Sequence, residues 1–107
     1  MIVNRKQNFY ITGLEYCTPI YMMENDIKAI QAPAVLSSSK LLIKVSLDGE
    51  TYSPIIVNSG LNYIPVQAGK ITILDGFDFS GIPYVSFAGD MDEGSGNKMF
   101  NMITVNR

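Results

Sequence analysis

From Lys40 onward, apolar and polar residues alternate with a period of two, in short segments separated by turn residues. This pattern is typical of β-strands that bury one face, at a spacing found in sandwiches and barrels. Asp48-Gly49 supplies the geometry of a tight hairpin, and Pro54, which lacks a backbone N–H donor, places its strand at a sheet edge or a bulge. The predicted strands follow the alternation: 41–46, 51–57, 61–66, 70–74, 82–88 and 98–105.

The N-terminal third is less regular than the rest of the chain. Three of its segments fit strands: 9–12, 16–22 and 27–31. The last segment, extended back to position 25, also fits a short helix with Asn25 or Asp26 as its N-cap. The sequence leaves both alternatives open.

Two stretches rich in glycine and acidic residues interrupt the strands. The first surrounds Phe77 and Phe79, and it predicts a loop whose aromatic rings plug one end of the core. The second, residues 89–97, has few hydrophobic residues and predicts a mobile connection.

The chain has 107 residues, of which 47% are hydrophobic and 17% charged. This length is enough for one hydrophobic core and too short for two. We therefore predict a single all-β domain over residues 1–107, with a flexible N-terminal arm at 1–8 and an antiparallel, jelly-roll-like β-sandwich over 9–107. Because a typical soluble domain is about 25% charged, part of the surface is expected to be apolar and to contact other protein.

Side chains that support catalysis are scarce. Histidine is absent and Cys17 is the single cysteine, which excludes Ser-His-Asp and Cys-His sites and the usual transition-metal ligand sets. The 8 basic residues are scattered in a chain of net charge −2, so no nucleic-acid partner is expected. No apolar run approaches the roughly 18 residues of a membrane span, and the first residues do not resemble a signal peptide. We predict a protein made in the cytoplasm that is not an enzyme and has no cofactor.

Two groups of carboxylates are candidates for a metal site or a catalytic acid pair. Asp90, Asp92 and Glu93 offer oxygens to calcium, but their spacing does not match an EF-hand loop, and a solvated hairpin tip is favoured. Asp75 and Asp78 resemble an acid pair near aromatic rings, whereas turn chemistry favours two solvated acids. No metal or catalytic site is predicted.

The six tyrosines and six methionines are the remaining candidate binding residues. Tyrosine rings stack on sugars in carbohydrate-binding modules, yet tyrosine is also favoured in strands, cores and protein interfaces, and tryptophan is absent. The methionines fit an adaptable protein interface, and Cys17 fits a small core residue. The residues expected to contact a partner are Ile2, Val3, Phe9, Tyr10, Tyr21, Met22, Met23, Tyr52 and Met91.

About half of the chain carries a more specific pattern. Residues 41–54 place a strand before the Asp48-Gly49 turn and an aromatic residue after it, residues 63–66 form the next short strand, and residues 79–85 follow the pattern Phe-x-Gly-x-x-Tyr-hydrophobic. This order of elements resembles a β-sandwich found in small virion proteins of tailed bacteriophages.

The resemblance implies a virion structural protein, and we expect a capsid decoration or cement protein. Such a protein would bind the major capsid protein or other virion proteins at the capsid surface, as a homo-oligomer or in many symmetric copies. Two alternatives stay open: a phage tail or head-fibre adaptor module, and a carbohydrate-binding β-sandwich.

Overall fold

The computed structural model describes residues 4–22, 25–56, 62–74, 79 and 82–106. Within these ranges the chain forms strands and no helix. The segment after Asn25 is a strand because it pairs with a neighbour on both sides, which excludes the helical alternative. The strands in the described ranges are β1 Asn4–Ile11, β2 Ile20–Tyr21, β3 Asn25–Gln31, β4 Lys40–Ser46, β5 Ser53–Pro54, β6 Tyr63–Pro65, β7 Ile71–Ile73, β8 Tyr84–Gly89 and β9 Lys98–Asn106.

The strands form two antiparallel sheets. One sheet has the order β1-β9-β3-β7, and the other has the order β2-β8-β4-β5 with β6 also paired to β4. β5 lies opposite Lys44 and Val45, and β6 lies opposite residues 40–42, so the two short strands share one position beside β4. The predicted all-β, antiparallel sandwich is confirmed.

The pairing is nested along the chain. β1 pairs with β9, β2 with β8, β3 with β7, and β4 with β5 and β6. Such a series is a long hairpin rolled up into two sheets, which is the jelly-roll arrangement. Pro54 lies in β5 at the edge of its sheet, as its missing N–H donor predicts.

The core fills the space between the two sheets. The rings of Phe9 and Phe100 stack with centroids 5.0 Å apart, and the ring of Phe87 from the opposite sheet lies 5.2 Å from that of Phe9. Phe79 is buried and packs with the core, as predicted, while Phe77 lies outside the described residues. The other buried aliphatic residues include Ile11, Met22, Ile27, Ile30, Leu41, Ile43, Ile64, Val85 and Met102.

The predicted N-terminal arm is wrong for residues 4–8. These residues form the first half of β1 and pair with β9 in an unbroken register from Asn4 opposite Val105 to Ile11 opposite Lys98. The first strand of a nested hairpin has to pair with the last one, so the charged residues near the chain start occupy a sheet edge. Residues 1–3 lie outside the described residues.

Candidate functional site

The outer face of the β1-β9-β3-β7 sheet carries exposed apolar residues in register. Ile73, Ala29 and Ile103 lie side by side across β7, β3 and β9. Ile71 lies beside Ile73 on the same strand face, and both isoleucines are more than half exposed. We call this surface the isoleucine face, defined by Ile71, Ile73, Ile103, Met99 and Tyr10.

The isoleucine face follows from strand alternation. In β9, Phe100, Met102 and Thr104 are buried, so Met99 and Ile103 on the other side of the strand point to solvent. The same alternation turns Ile71 and Ile73 outward from the edge strand β7. A shallow depression of about 190 Å³ lies on this face. Lys6, Gln31 and Asn101 line the same depression, so the apolar residues of this face are interspersed with polar ones. Exposed apolar patches mark sites of contact with other macromolecules.

The outer face of the other sheet carries most of the tyrosines. Tyr21 and Tyr84 are paired across β2 and β8, with ring centroids 5.3 Å apart. Tyr63 of β6 lies opposite Leu42 of β4, which is exposed. We call this surface the tyrosine face, and its tyrosines are Tyr16, Tyr21, Tyr52, Tyr63 and Tyr84.

Two lysines of β4 lie over tyrosine rings on this face. The Nζ atom of Lys44 is 4.1 Å from the ring centroid of Tyr16, and the Nζ atom of Lys40 is 4.6 Å from that of Tyr63. Both distances are within the range of a cation–π interaction. In the part of the chain that the structure describes, neither lysine forms an ion pair with a carboxylate.

A depression of about 240 Å³ lies beside Lys44. Tyr16, Tyr52 and Pro19 form its sides together with the Lys44 side chain, and Cys17 and Ser86 lie at its base. Burial raises the pKa of the Tyr16 phenol above its ordinary value of 10.0, so the hydroxyl stays protonated and can donate a hydrogen bond at neutral pH.

Cys17 fixes the segment that carries Tyr16. Its backbone N–H donates to the carbonyl of Phe87 at 2.7 Å, and its carbonyl accepts from the Ser86 hydroxyl at 2.7 Å. Burial raises the pKa of the Cys17 thiol above its ordinary value of 9.0, which keeps the sulfur protonated and unreactive. The prediction of a small core residue is confirmed.

The acidic loop after β8 differs from its prediction. Glu93 is buried, and its carboxylate accepts hydrogen bonds from the backbone N–H groups of Ser37 and Ser38 at 3.0 and 2.6 Å. Asp90 accepts from the backbone N–H groups of Ser39 and Lys40 at 2.9 and 3.1 Å. The solvated hairpin tip is therefore wrong for Asp90 and Glu93, which bind the chain that leads into β4. Asp92 and residues 94–97 are exposed, and the mobile connection remains a prediction for them.

The carboxylates that were candidate calcium ligands accept hydrogen bonds from backbone N–H groups. Asp92 accepts a hydrogen bond from the backbone N–H of Gly94 at 2.8 Å, so all three acids of the loop bind backbone donors. Among the described residues, no cluster of three or more His, Cys, Asp or Glu side chains is placed to hold a metal ion. Asp75 and Asp78, the other carboxylate pair, lie outside the described residues.

Two carboxylates have pKa values lowered from their ordinary 3.8. Burial raises the pKa of Asp90, but the hydrogen bonds from the backbone N–H groups of Ser39 and Lys40 outweigh it. At Asp48, hydrogen bonds from the backbone N–H groups of Thr51 and Glu50 lower the pKa. Folding therefore favours the ionised forms of both groups. Their contribution to stability is complete above about pH 4 and is lost as the pH falls through the folded-state pKa values.

We expect the thermal midpoint of the protein to fall between about pH 5 and pH 2.5, and to fall less in the double variant D48N/D90N. Asparagine keeps an acceptor oxygen for the backbone N–H groups but does not titrate. Thermal unfolding followed by circular dichroism at several pH values measures both slopes. If the thermal midpoints of the two proteins fall equally with pH, the assignment of this pH dependence to Asp48 and Asp90 is contradicted.

The residues expected to contact a partner include exposed and buried ones. Tyr10, Tyr21 and Met91 are exposed, and Tyr52 belongs to the tyrosine face. Tyr10 and Tyr21 line one groove of about 360 Å³ between the edge strands β1 and β2. The four residues remain predictions as contact sites.

Of the other five members of the predicted set, two are buried and three lie outside the described residues. Phe9 and Met22 are buried in the core, so the prediction that they contact a partner is wrong. Each lies on the inner side of its segment, where it packs with the core cluster. Ile2, Val3 and Met23 lie outside the described residues.

Sequence reasoning missed the exposed isoleucines. Ile71 and Ile73 fall in the predicted strand 70–74 and Ile103 in the predicted strand 98–105, but the alternation alone does not show that the face with these isoleucines is left uncovered. The signal was an excess of apolar residues in β7 and β9. A strand of a two-layer sandwich buries one face only, so some of these residues have to be exposed.

Comparisons of this chain with protein-family models, with curated proteins and with solved structures give no match. None of the described residues belongs to a helix long and apolar enough to cross a membrane.

Proposed function

We propose that this chain is a non-enzymatic virion structural protein, a decoration or cement protein that binds the major capsid protein and stabilises the shell. The isoleucine face is the observation that carries the proposal, since it offers apolar surface on a rigid sheet with no covering element among the described residues. Jelly rolls are common in viral capsid proteins and also in lectins, so the fold is compatible with this role without selecting it.

The size of the isoleucine face favours many copies over a single contact. Covering a half-exposed isoleucine contributes about 1–2 kcal/mol, so Ile71, Ile73 and Ile103 together supply only a few kcal/mol. Association costs at least about 4 kcal/mol in lost freedom of motion, which leaves a weak single contact. Copies that also contact one another, or that bridge two shell subunits, bind with higher avidity. A symmetric lattice supplies that arrangement.

The proposal is tested on purified particles. Mass spectrometry should give a copy number of this chain in a fixed, lattice-related ratio to the shell protein. Particles that lack the chain should lose their contents at a lower temperature and at milder osmotic shock than complete particles. Unchanged resistance to both treatments would overturn the proposal, and a copy number of a few per particle would favour the tail or head-fibre alternative.

The substitution Ile73→Asp should reduce binding to shells that lack the protein by at least about tenfold, because a carboxylate would be buried without a partner in the contact. Val35→Asp is the matched control: Val35 has the same 70% exposure as Ile73 but lies in the loop before β4. Co-sedimentation of each variant with the shells measures the difference. Equal binding of the two variants would exclude the isoleucine face as the contact.

A further inference from the structure

The depression beside Lys44 has features that shell binding does not use. It lies on the tyrosine face, which is the side of the sandwich opposite the isoleucine face. Its sides are aromatic rings and its charged group is an ammonium, so it combines a stacking surface with a cation.

Lys44 holds its charge in a defined position. The side chain is half-buried, and the Tyr16 ring at 4.1 Å holds the ammonium at the edge of the depression. No carboxylate neutralises it within the described residues. An ammonium has three N–H donors, and the ring covers one side of the group only. Donors therefore remain for a ligand.

The charge around Lys44 also selects the ligand. The chain has net charge −2, yet the outward positions of β4 and β8 on this face carry Lys40 and Lys44 and no acidic residue. Asp90 and Asp48 lie at the two ends of β4, but Lys44 is the one charged residue among the described residues that line the depression, so a ligand in it meets a cation and no carboxylate.

The size of the depression limits the ligand to a small ring. Its volume of about 240 Å³ is below the roughly 300–1,000 Å³ of pockets for drug-sized ligands. Tyr16 and Tyr52 present rings with hydroxyl groups, which is the arrangement that packs on the C–H face of a sugar and hydrogen-bonds its hydroxyls. A carboxylate on that sugar would form charge-assisted hydrogen bonds with the Lys44 ammonium.

We propose that this depression binds a hexuronate residue of an acidic saccharide, with the sugar ring against Tyr52 and Tyr16 and the carboxylate on Lys44. The size argues for a single six-membered ring over a larger acidic sugar. The site does not depend on the shell-binding proposal, because it uses the opposite face and its test needs no particles.

The test compares two ligands that differ only in the carboxylate. The full chain, labelled with ¹⁵N, is titrated with methyl β-D-glucuronide and with methyl β-D-glucoside. The glucuronide should shift the amide signals of Tyr16, Lys44 and Ser86 with a Kd in the millimolar range, and the glucoside should bind at least about fivefold more weakly.

Three variants and one control, Lys70→Met, assign the binding to the named residues. Lys44→Met keeps an unbranched side chain over Tyr16 and should lower the affinity for the glucuronide to that for the glucoside. Lys44→Arg keeps the positive charge and should retain the preference for the glucuronide over the glucoside. This variant keeps the test valid if Lys44→Met does not fold. Tyr52→Ala should weaken binding of both sugars, whereas Lys70→Met, at an exposed lysine outside the depression, should change neither.

Several outcomes would overturn the proposal. They are the absence of shifts with either sugar up to about 20 mM, equal affinities for the two sugars, and a preserved preference in Lys44→Met. Inorganic phosphate that shifts the same signals with the same affinity as the glucuronide would also overturn it, because the site would then bind anions without recognising the sugar.

Discussion

Phe100→Ala is expected to lower the free energy of unfolding by about 3–5 kcal/mol. Phe100 is fully buried, and its ring stacks on Phe9 at 5.0 Å, while Phe9 in turn contacts Phe87 of the opposite sheet. Truncation removes the apolar contacts of Phe100 and leaves a cavity where the two sheets meet. A domain of this size has a total stability of about 5–15 kcal/mol, so the loss takes a large share of it.

Met99→Ala is the control for this prediction. Met99 precedes Phe100 in β9 but points to the outer side of the sheet and is exposed. Its truncation should change the free energy of unfolding by only about 0.5 kcal/mol. Urea denaturation gives both values, and with a slope of 1–3 kcal/mol per molar urea the midpoint of Phe100→Ala should fall by roughly 2 M. Similar losses in the two variants would contradict the strand orientation. Phe100→Leu should give an intermediate loss if the alanine variant does not fold.

The alternation of apolar and polar residues locates the strands from β4 to β9, although β5 covers only Ser53–Pro54 of the predicted 51–57. In β9 the sequence alone distinguishes the inner residues Phe100 and Met102 from the outer residues Met99 and Asn101. The two sets separate because side chains alternate between the two faces of a strand, although the outer face of β9 also carries apolar residues, Met99 and Ile103. Gly49 has the predicted positive φ, 83°, but the tight hairpin is wrong: the last pair before the turn is Val45 opposite Ser53, so the connection spans residues 46–52.

The N-terminal strands were harder to predict because their pairing partners are distant in sequence. β1 begins with Asn4, Arg5 and Lys6, which resemble a solvated arm until β9 is placed beside them. β3 has a register shift between Ile27 and Ala29, and this irregularity breaks the alternation that would distinguish a strand from a helix.

The candidate sites depend on tertiary placement even more than the strands. The sequence identifies the tyrosines as candidate binding residues, but it does not show that five of them share one sheet face. The position of Lys44 over Tyr16 results from the path of the segment before β2, which the hydrogen bonds of Cys17 to β8 determine.

Glu93 was the least predictable of these residues, and its replacement is expected to have the second largest effect. Glu93→Ala should lower the free energy of unfolding by about 2–4 kcal/mol, because it leaves the buried backbone donor of Ser38 and the part-buried donor of Ser37 without an acceptor. The Ser38 hydroxyl, 2.5 Å from Oε2, loses this acceptor and keeps only the carbonyl of Met91 at 3.2 Å. The backbone N–H of Glu93 also donates to the carbonyl of Gly13, so this residue joins three loops at one end of the sandwich.

Asp92→Asn is the matched control for Glu93, since it removes one charge from the same loop and keeps the oxygen that accepts from Gly94. It should change the free energy of unfolding by no more than about 0.5 kcal/mol. Glu93→Gln should fall between the two, because the amide keeps one acceptor oxygen but places an N–H group opposite another donor. Amide hydrogen exchange separates this mechanism from a general loss of charge: protection of the Ser37 and Ser38 N–H groups should fall in both Glu93 variants and stay unchanged in Asp92→Asn. Unchanged protection at those two amides in Glu93→Ala would mean that the carboxylate does not hold the loop, and that the burial of Glu93 has another cause.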